Sequence, residues 1–148
     1  MSTTVVAPKT RKIGVSQVRA VLEDIAIEHP DRVDRRATDG LPARYAARGG
    51  PNCLVAMVLD RLGFSVGILK ALDAEHPTGE LFRAGGVQVA ESRHPALKRI
   101  DPTARALLQY VQNQQDRGQR WGRIVRDAFS SNRFFERWER ERKPWLSV

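Results

Sequence analysis

The sequence predicts a mainly α-helical protein, built as a compact single domain of about six helices with one long irregular connection and one short hairpin or strand. Three observations support this fold class. Apolar residues recur at helical spacing in several segments, oxygen-bearing side chains precede those segments as N-caps, and glycine or proline follows them. We assign residues 1–14 to a flexible basic arm and residues 15–148 to the helical domain. Of the 148 residues, 41% are hydrophobic and 28% are charged, which is typical of a folded soluble protein.

The first helix follows the arm. Residues 1–14 show no hydrophobic periodicity and carry three basic residues, so they indicate a flexible segment. Ser16 is the expected cap of the helix, and the pair His29-Pro30 ends it, since a residue before proline avoids helical geometry. The apolar face of this helix consists of Val18, Val21, Leu22 and Ile25.

Two helices are expected after the turn-rich residues 31–50, in which residues 43–47 suggest a short strand. Asn52 is the expected cap of the most apolar helix, which should be buried centrally and stops at Gly63. Ser65 caps a short third helix that contains Ile68, Leu69 and Leu72. The long connection covers residues 75–100, and only residues 87–89 within it alternate like a strand.

The C-terminal third predicts three more helices. Asp101-Pro102 is a strong helix start, and Gly118 closes that helix, whose inward residues are Leu107, Leu108 and Val111. The next helix spans about residues 119–129, with Trp121 chiefly as its anchor. Its buried residues are Trp121, Ile124, Val125 and Ala128. The last helix begins after Ser131 or Asn132 and fades near residue 143, burying Phe134, Phe135 and Trp138.

The formal charge of +8 is distributed unevenly. Residues 1–50 hold nine Lys and Arg against six Asp and Glu, residues 51–116 hold seven against seven, and residues 117–148 hold nine against four. A neutral centre with basic ends indicates a structural middle and flanks that face a polyanion. Of the 25 basic residues, 20 are arginine, which reflects either the codon bias of a GC-rich genome or selection for phosphate contacts.

Two segments carry a resemblance. Residues 44–63 contain a tyrosine, a Gly-Pro turn and a cysteine-led apolar helix, and residues 111–122 contain the pattern Gln-Asp-x-Gly-x-x-Trp-Gly. Together they resemble a loosely defined group of small uncharacterised proteins of actinobacteria and their phages. The resemblance implies an actinobacterial or actinophage origin, and it transfers no activity.

The principal candidate site is an arginine face on the two C-terminal helices. Its expected nucleic-acid-binding residues are Arg120, Arg123, Arg126, Arg133 and Arg137. Guanidinium groups bind phosphates, and we expect this face to be a continuous positive surface turned to solvent. The competing interpretation is a solvated face whose charges pair at i,i+4 spacing, with the neighbouring aromatic residues in the core.

A helix-turn-helix is a second interpretation, over residues 55–72. Its second helix would present Lys70, Ala71 and Asp73 to DNA, a face without Arg, Asn or Gln to pair with base edges. We therefore favour a plain helical corner.

Cys53 is the third candidate, as a nucleophile at a helix N-terminus, where the dipole lowers a thiol pKa. Cysteine peptidases of the NlpC and papain kind place their cysteine in this way, and His76 or His94 would be the partner histidine. The alternative is a cysteine packed in the core, as free cysteines usually are. A single cysteine also excludes an internal disulfide and a multi-cysteine zinc site, and no metal or cofactor is expected.

These patterns favour a non-enzymatic accessory or regulatory protein, phage-like in character, that contacts nucleic acid or another polyanion. A protein-interaction module for an acidic host or virion protein is the alternative, and a cysteine hydrolase using Cys53 is the second alternative. The longest apolar run, residues 53–59, is too short to cross a bilayer, and the N-terminus lacks the pattern of a secretion signal. We expect a cytoplasmic protein with no membrane partner.

Overall fold

The computed structural model describes residues 12–34, 45–47, 50–75 and 88–130. This part of the chain is mainly helical, which confirms the predicted fold class. It contains five α-helices, one 3₁₀ helix and a hairpin of two short antiparallel strands. In chain order they are α1 Val15–Glu28, β1 Ala46–Ala47, β2 Gly50–Pro51, α2 Leu54–Arg61, α3 Val66–Ala74, the 3₁₀ helix Pro95–Arg99, α4 Pro102–Asp116 and α5 Trp121–Ser130.

The N-cap of helix α1 lies two residues before the expected one. It is Gly14, whose N–H donates to Oε1 of Gln17 at 2.9 Å, so the prediction of Ser16 as the cap is wrong. Of the predicted apolar face, Val18, Leu22 and Ile25 are fully buried, whereas Val21 is only partly buried. His29 is the C-cap, as its position before proline predicts.

The start of the folded domain also differs from the prediction. Ile13 is buried, and its N–H donates to the carbonyl of Arg99 at 2.6 Å, while Asp101 N–H donates to the carbonyl of Ile13 at 2.8 Å. The structured domain therefore includes Ile13 and Gly14, which we had placed in the basic arm. A single apolar residue beside a basic run shows no periodicity, so its burial had no local signal.

The hairpin leads into the central helix α2. Ala46 pairs with Pro51 and Ala47 with Gly50, which places β1 at the end of the predicted strand. Cys53 is the N-cap of α2, and its Sγ accepts from Ala56 N–H at 3.4 Å, so the assignment of Asn52 as the cap is wrong by one residue. The α2 residues that are buried are Leu54, Val55, Ala56, Val58 and Leu59, which fits the predicted central position.

Helix α3 forms a structural corner with α2. Gly63 adopts φ +101°, and Ser65 Oγ accepts from Ile68 N–H at 3.3 Å, as both residue types predict. Asp73 accepts from Tyr45 N–H at 2.8 Å and from Ala46 N–H at 3.0 Å. One residue of the face that would read DNA in a helix-turn-helix, Asp73, is thus bonded to the hairpin, which supports the plain corner.

The prediction of a strand at residues 87–89 is wrong for the described residues of that range. Gln88 has no regular secondary structure, and Val89 lies in the turn that follows it. Val89 is fully buried, and its N–H donates to Oε1 of Gln112 at 2.7 Å. A side chain of α4 thus replaces the neighbouring strand that the alternation implied.

Helices α4 and α5 form as predicted. Asp101 Oδ1 accepts from Thr103 N–H at 3.0 Å ahead of Pro102, and Gly118 adopts φ +78° at the end of α4. The expected inward residues are all buried, namely Leu107, Leu108, Val111, Trp121, Ile124, Val125 and Ala128. Helices α1, α2, α4 and α5 contact one another and enclose the core. The predicted last helix lies outside the described residues.

Candidate nucleic-acid interface

The first turn of α5 is held against the segment that follows α1. Trp121 N–H donates to the carbonyl of Arg32 at 2.8 Å, and Gly122 N–H donates to the carbonyl of Pro30 at 2.9 Å. These bonds satisfy two of the N–H groups that a helix leaves unpaired at its N-terminus. The position of α5 is therefore determined at its first residue, one position after Arg120.

Trp121 anchors α5 in the core, as predicted. Its side chain is fully buried, and its Nε1–H donates to Oδ2 of Asp34 at 3.1 Å. The guanidinium of Arg32 lies 4.3 Å from the centre of the indole ring, within the range of a cation–π interaction. His29 meets the same ring edge-on at 6.0 Å. A large aromatic residue with a satisfied N–H keeps α5 in one orientation.

Asp34 links α5 to α2. Its Oδ2 also accepts from Leu54 N–H at 3.1 Å, so a single carboxylate oxygen serves the N-termini of both helices. Burial raises the pKa of Asp34 from 3.8 to about 6, although both of these hydrogen bonds act to lower it. Sequence reasoning did not single out Asp34, because nothing local distinguishes it from other acidic loop residues.

The N-terminus of α2 is completed by two more side chains. Val55 N–H donates to Oε1 of the fully buried Gln115 at 3.0 Å, and Ala56 N–H donates to Sγ of Cys53. Three consecutive N–H groups are therefore capped by residues from three parts of the chain. This arrangement assigns structural roles to both segments that carry the resemblance.

Four of the five defining positions of the Gln-Asp-x-Gly-x-x-Trp-Gly segment have structural roles. Gln115 caps α2, Gly118 supplies a left-handed turn, and Trp121 anchors α5. A Cβ at Gly122 would lie 2.9 Å from the carbonyl oxygen of Pro30, so only glycine allows this approach without a shift. The segment sets the direction of α5, and hence the direction of its arginines.

The three described candidate arginines face solvent: Arg123 and Arg126 lie on α5, and Arg120 directly precedes it. The side chains of Arg120, Arg123 and Arg126 are 70%, 62% and 67% exposed. Trp121, Ile124, Val125 and Ala128 are buried on the opposite side. The expected separation of arginine face and apolar face is present along the whole helix. Arg133 and Arg137 lie outside the described residues.

This face is not the continuous positive surface that we expected. Nη1 of Arg120 lies 3.9 Å from Oδ1 of Asp31, and Asp127 lies 3.6 Å from Nε of both Arg123 and Arg126. Two carboxylates thus accompany three guanidinium groups. The spacing of Arg123 and Asp127 could have revealed one pair from the sequence. Asp31 meets Arg120 only through the tertiary contact of α5 with the segment after α1.

A groove of about 680 Å³ runs beside these arginines, between the segment after α1 and the N-terminal half of α5. Its lining is Pro30, Asp31, Val33, Gly118, Gln119, Arg120, Gly122, Arg123 and Arg126. Val33 is 41% exposed, and among the described residues Ile27 is the other large apolar side chain that is exposed. The arginines therefore border a concave surface instead of a flat one.

Cys53 does not have the surroundings of a nucleophile. Its thiol is fully buried, and burial together with the nearby Asp34 raises its pKa to about 12. A thiol with such a pKa is protonated at neutral pH, whereas the thiolate is the reactive form. Nδ1 of His94 accepts from Ala96 N–H at 3.1 Å, as a cap of the 3₁₀ helix. His76 lies outside the described residues.

The described segments contain no cluster of three or more His, Cys, Asp or Glu side chains suited to a metal ion. None of their helices combines the length and the apolar character needed to span a membrane. Comparison of the whole chain with protein-family models, curated proteins and solved structures found no match.

Proposed function

We propose that this protein is a nucleic-acid-binding accessory protein that contacts the phosphate backbone through Arg123 and Arg126 of α5 and through Arg120, the residue before α5. The observation that carries the proposal is the exposure of all three guanidinium groups along one side of a helix whose other side is anchored in the core. The resemblance of two segments to proteins of actinobacteria and actinophages supports a phage-like setting.

The neighbouring carboxylates do not prevent phosphate binding. Asp31 is 86% exposed and Asp127 is 35% exposed, and their contacts with the arginines are 3.6–3.9 Å long. Solvent-exposed ion pairs of this kind stabilise a protein by roughly 0–1 kcal/mol. A bidentate guanidinium–phosphate contact is stronger, so a phosphate can displace either carboxylate.

The two aromatic residues of α5 favour backbone contact over base stacking. Phe129 is partly buried against the core, and the guanidinium of Arg19 lies 4.6 Å from the centre of its ring. Trp121 is fully buried and bonded to Asp34, so it is not available to stack on an unpaired base. Phosphate contacts position a protein on nucleic acid but carry no sequence information. We therefore expect binding that depends weakly on sequence and strongly on salt.

The test is a titration of fluorescent duplex DNA with the protein at several salt concentrations. Each phosphate contact contributes about 0.9 to the slope of log K against log salt for B-DNA. Arg120→Gln, Arg123→Gln and Arg126→Gln should each lower the slope by about 0.9. Lys70→Gln is the charge-matched control, because Lys70 is exposed on α3.

Two results would contradict the proposal. If Lys70→Gln lost as much DNA affinity as the arginine variants, the binding would depend on the total charge of the protein alone. No binding at low salt would favour the other candidate, an acidic protein partner, for which the alternating charges of Arg120, Asp31, Arg123 and Asp127 are also suited.

A further inference from the structure

A second basic surface lies away from α5. It is a cleft of about 460 Å³ at the junction of the chain's N-terminal segment, the 3₁₀ helix and the first turns of α4. Three of its lining residues are cationic, Lys12, Lys98 and Arg105, and the four others are apolar. We call it the basic cleft.

Backbone hydrogen bonds position Lys12 in this cleft. Ile13 forms a parallel bridge with Ile100, through the two hydrogen bonds that join it to Arg99 and Asp101. The bridge places Lys12 beside the 3₁₀ helix that carries Lys98. Two residues 86 positions apart in the sequence are thereby brought to one site, which no local pattern could indicate.

Two hydrogen bonds hold the guanidinium of Arg105 in the lining of the basic cleft. Its Nη2 donates to the carbonyl of Val89 at 2.8 Å and to the carbonyl of Ser92 at 2.9 Å. Its Nε is buried and has no hydrogen-bond partner among the described residues. Burial also lowers the pKa of Arg105, which nevertheless stays charged at neutral pH. A guanidinium that is already fixed loses little entropy when it binds an anion.

Among the described residues, no carboxylate forms an ion pair with the cations of the basic cleft. No Asp or Glu is among its described lining residues. Asp101 adjoins two lining residues and Glu75 acts electrostatically on Arg105, and both acids have other hydrogen-bond partners. Asp101 caps α4 through Thr103 N–H, and Glu75 accepts from Ser92 Oγ at 2.7 Å. At α5, by contrast, each described candidate arginine has a carboxylate within 4 Å.

We propose that the basic cleft binds a phosphate group, with the two ammonium groups and the guanidinium as its ligands. Three convergent cations around a concavity match the charge and the acceptor oxygens of a phosphate. The group can belong to a small phosphorylated molecule or to a nucleic-acid backbone. This site is independent of α5, so either proposal can fail without the other.

The test uses the whole chain labelled with ¹⁵N and titrated with inorganic pyrophosphate at low ionic strength. Saturable shifts of the backbone amide signals are expected at Lys98, Ile100 and Arg105. Lys98→Gln and Lys12→Gln should each weaken binding about fivefold, as expected for one contact in a partly exposed cleft. Lys70→Gln removes the same charge outside the cleft and should change the affinity less than twofold.

The source of the phosphate is tested with the duplex DNA used for α5. A loss of DNA affinity in Lys98→Gln, with pyrophosphate binding also weakened, identifies a nucleic-acid phosphate. Unchanged DNA affinity with weakened pyrophosphate binding identifies a small phosphorylated ligand. The proposal is overturned if pyrophosphate causes no saturable shift at these amides, or if binding survives in Lys98→Gln and Lys12→Gln but is lost in Arg123→Gln.

Discussion

Replacement of Asp34 by asparagine should remove a pH dependence of stability that comes from one buried carboxylate. Asp34 is only 6% exposed, and its Oδ2 accepts from both Leu54 N–H and Trp121 Nε1–H. An asparagine carbonyl in the same place can accept both bonds, but it does not titrate. Asp34→Asn therefore preserves the hydrogen bonds and removes the ionisation.

The sign follows from the raised pKa of Asp34, about 6 in the folded protein against 3.8 unfolded. Between these values the folded state holds the proton and the unfolded state has released it. The contribution of Asp34 to the free energy of unfolding is thus highest in acid, and it falls as the pH rises from 3.8 through 6. The full change is about 3 kcal/mol, of which about 2 kcal/mol falls between about pH 4.5 and pH 7.5.

Urea unfolding of both proteins, followed by circular dichroism, measures the effect as a difference. Other groups cancel in that difference, including Glu28, whose pKa is lowered by the hydrogen bond from Arg61. The free energy of unfolding of the wild type minus that of Asp34→Asn should become more negative by about 2 kcal/mol as the pH is raised over this range. A difference that is independent of pH would refute the assignment of a raised pKa to Asp34.

Two further outcomes are expected. Gly122→Ala should destabilise the protein by about 1–3 kcal/mol in urea unfolding, because the new Cβ would lie 2.9 Å from the Pro30 carbonyl oxygen. Gly67→Ala on α3 is its control: its nearest neighbour would be Ser65 Oγ at 3.5 Å, and helix propensity should stabilise the variant by about 0.5–1 kcal/mol. A stabilised Gly122→Ala would contradict the close packing of α5 against the segment after α1. Cys53 should react with a thiol reagent only after unfolding, since its thiol is buried and its pKa is raised; stoichiometric labelling of the native protein within minutes would reopen the hydrolase hypothesis.

Much of the fold was predictable because helices depend on neighbours within a few residues. The apolar spacing of α1, α4 and α5 identified their buried residues, and the residue types of Gly63, Ser65 and Gly118 identified turns and a cap. Two cap assignments failed, at Ser16 and Asn52. In both cases a neighbouring residue could serve as the cap, and packing determined which one did.

The candidate site was predictable in part. Helical periodicity placed the three candidate arginines opposite the buried residues of α5, and their exposure agrees with that expectation. The carboxylates beside them alter the expected continuous positive surface. Asp31 reaches Arg120 because Gly122 allows α5 to approach Pro30, a contact between segments about 90 residues apart.

The amino-acid sequence by itself determined the helices, their apolar faces and the side of α5 on which its arginines lie, because these depend on the local backbone period. Only the tertiary structure decided which polar groups meet. Asp34 joins two helix N-termini, Cys53 is buried as a cap, and Lys12 lies beside Lys98. Such contacts join residues distant in the chain, and burial then sets their charge and reactivity, so no stretch of sequence contains them.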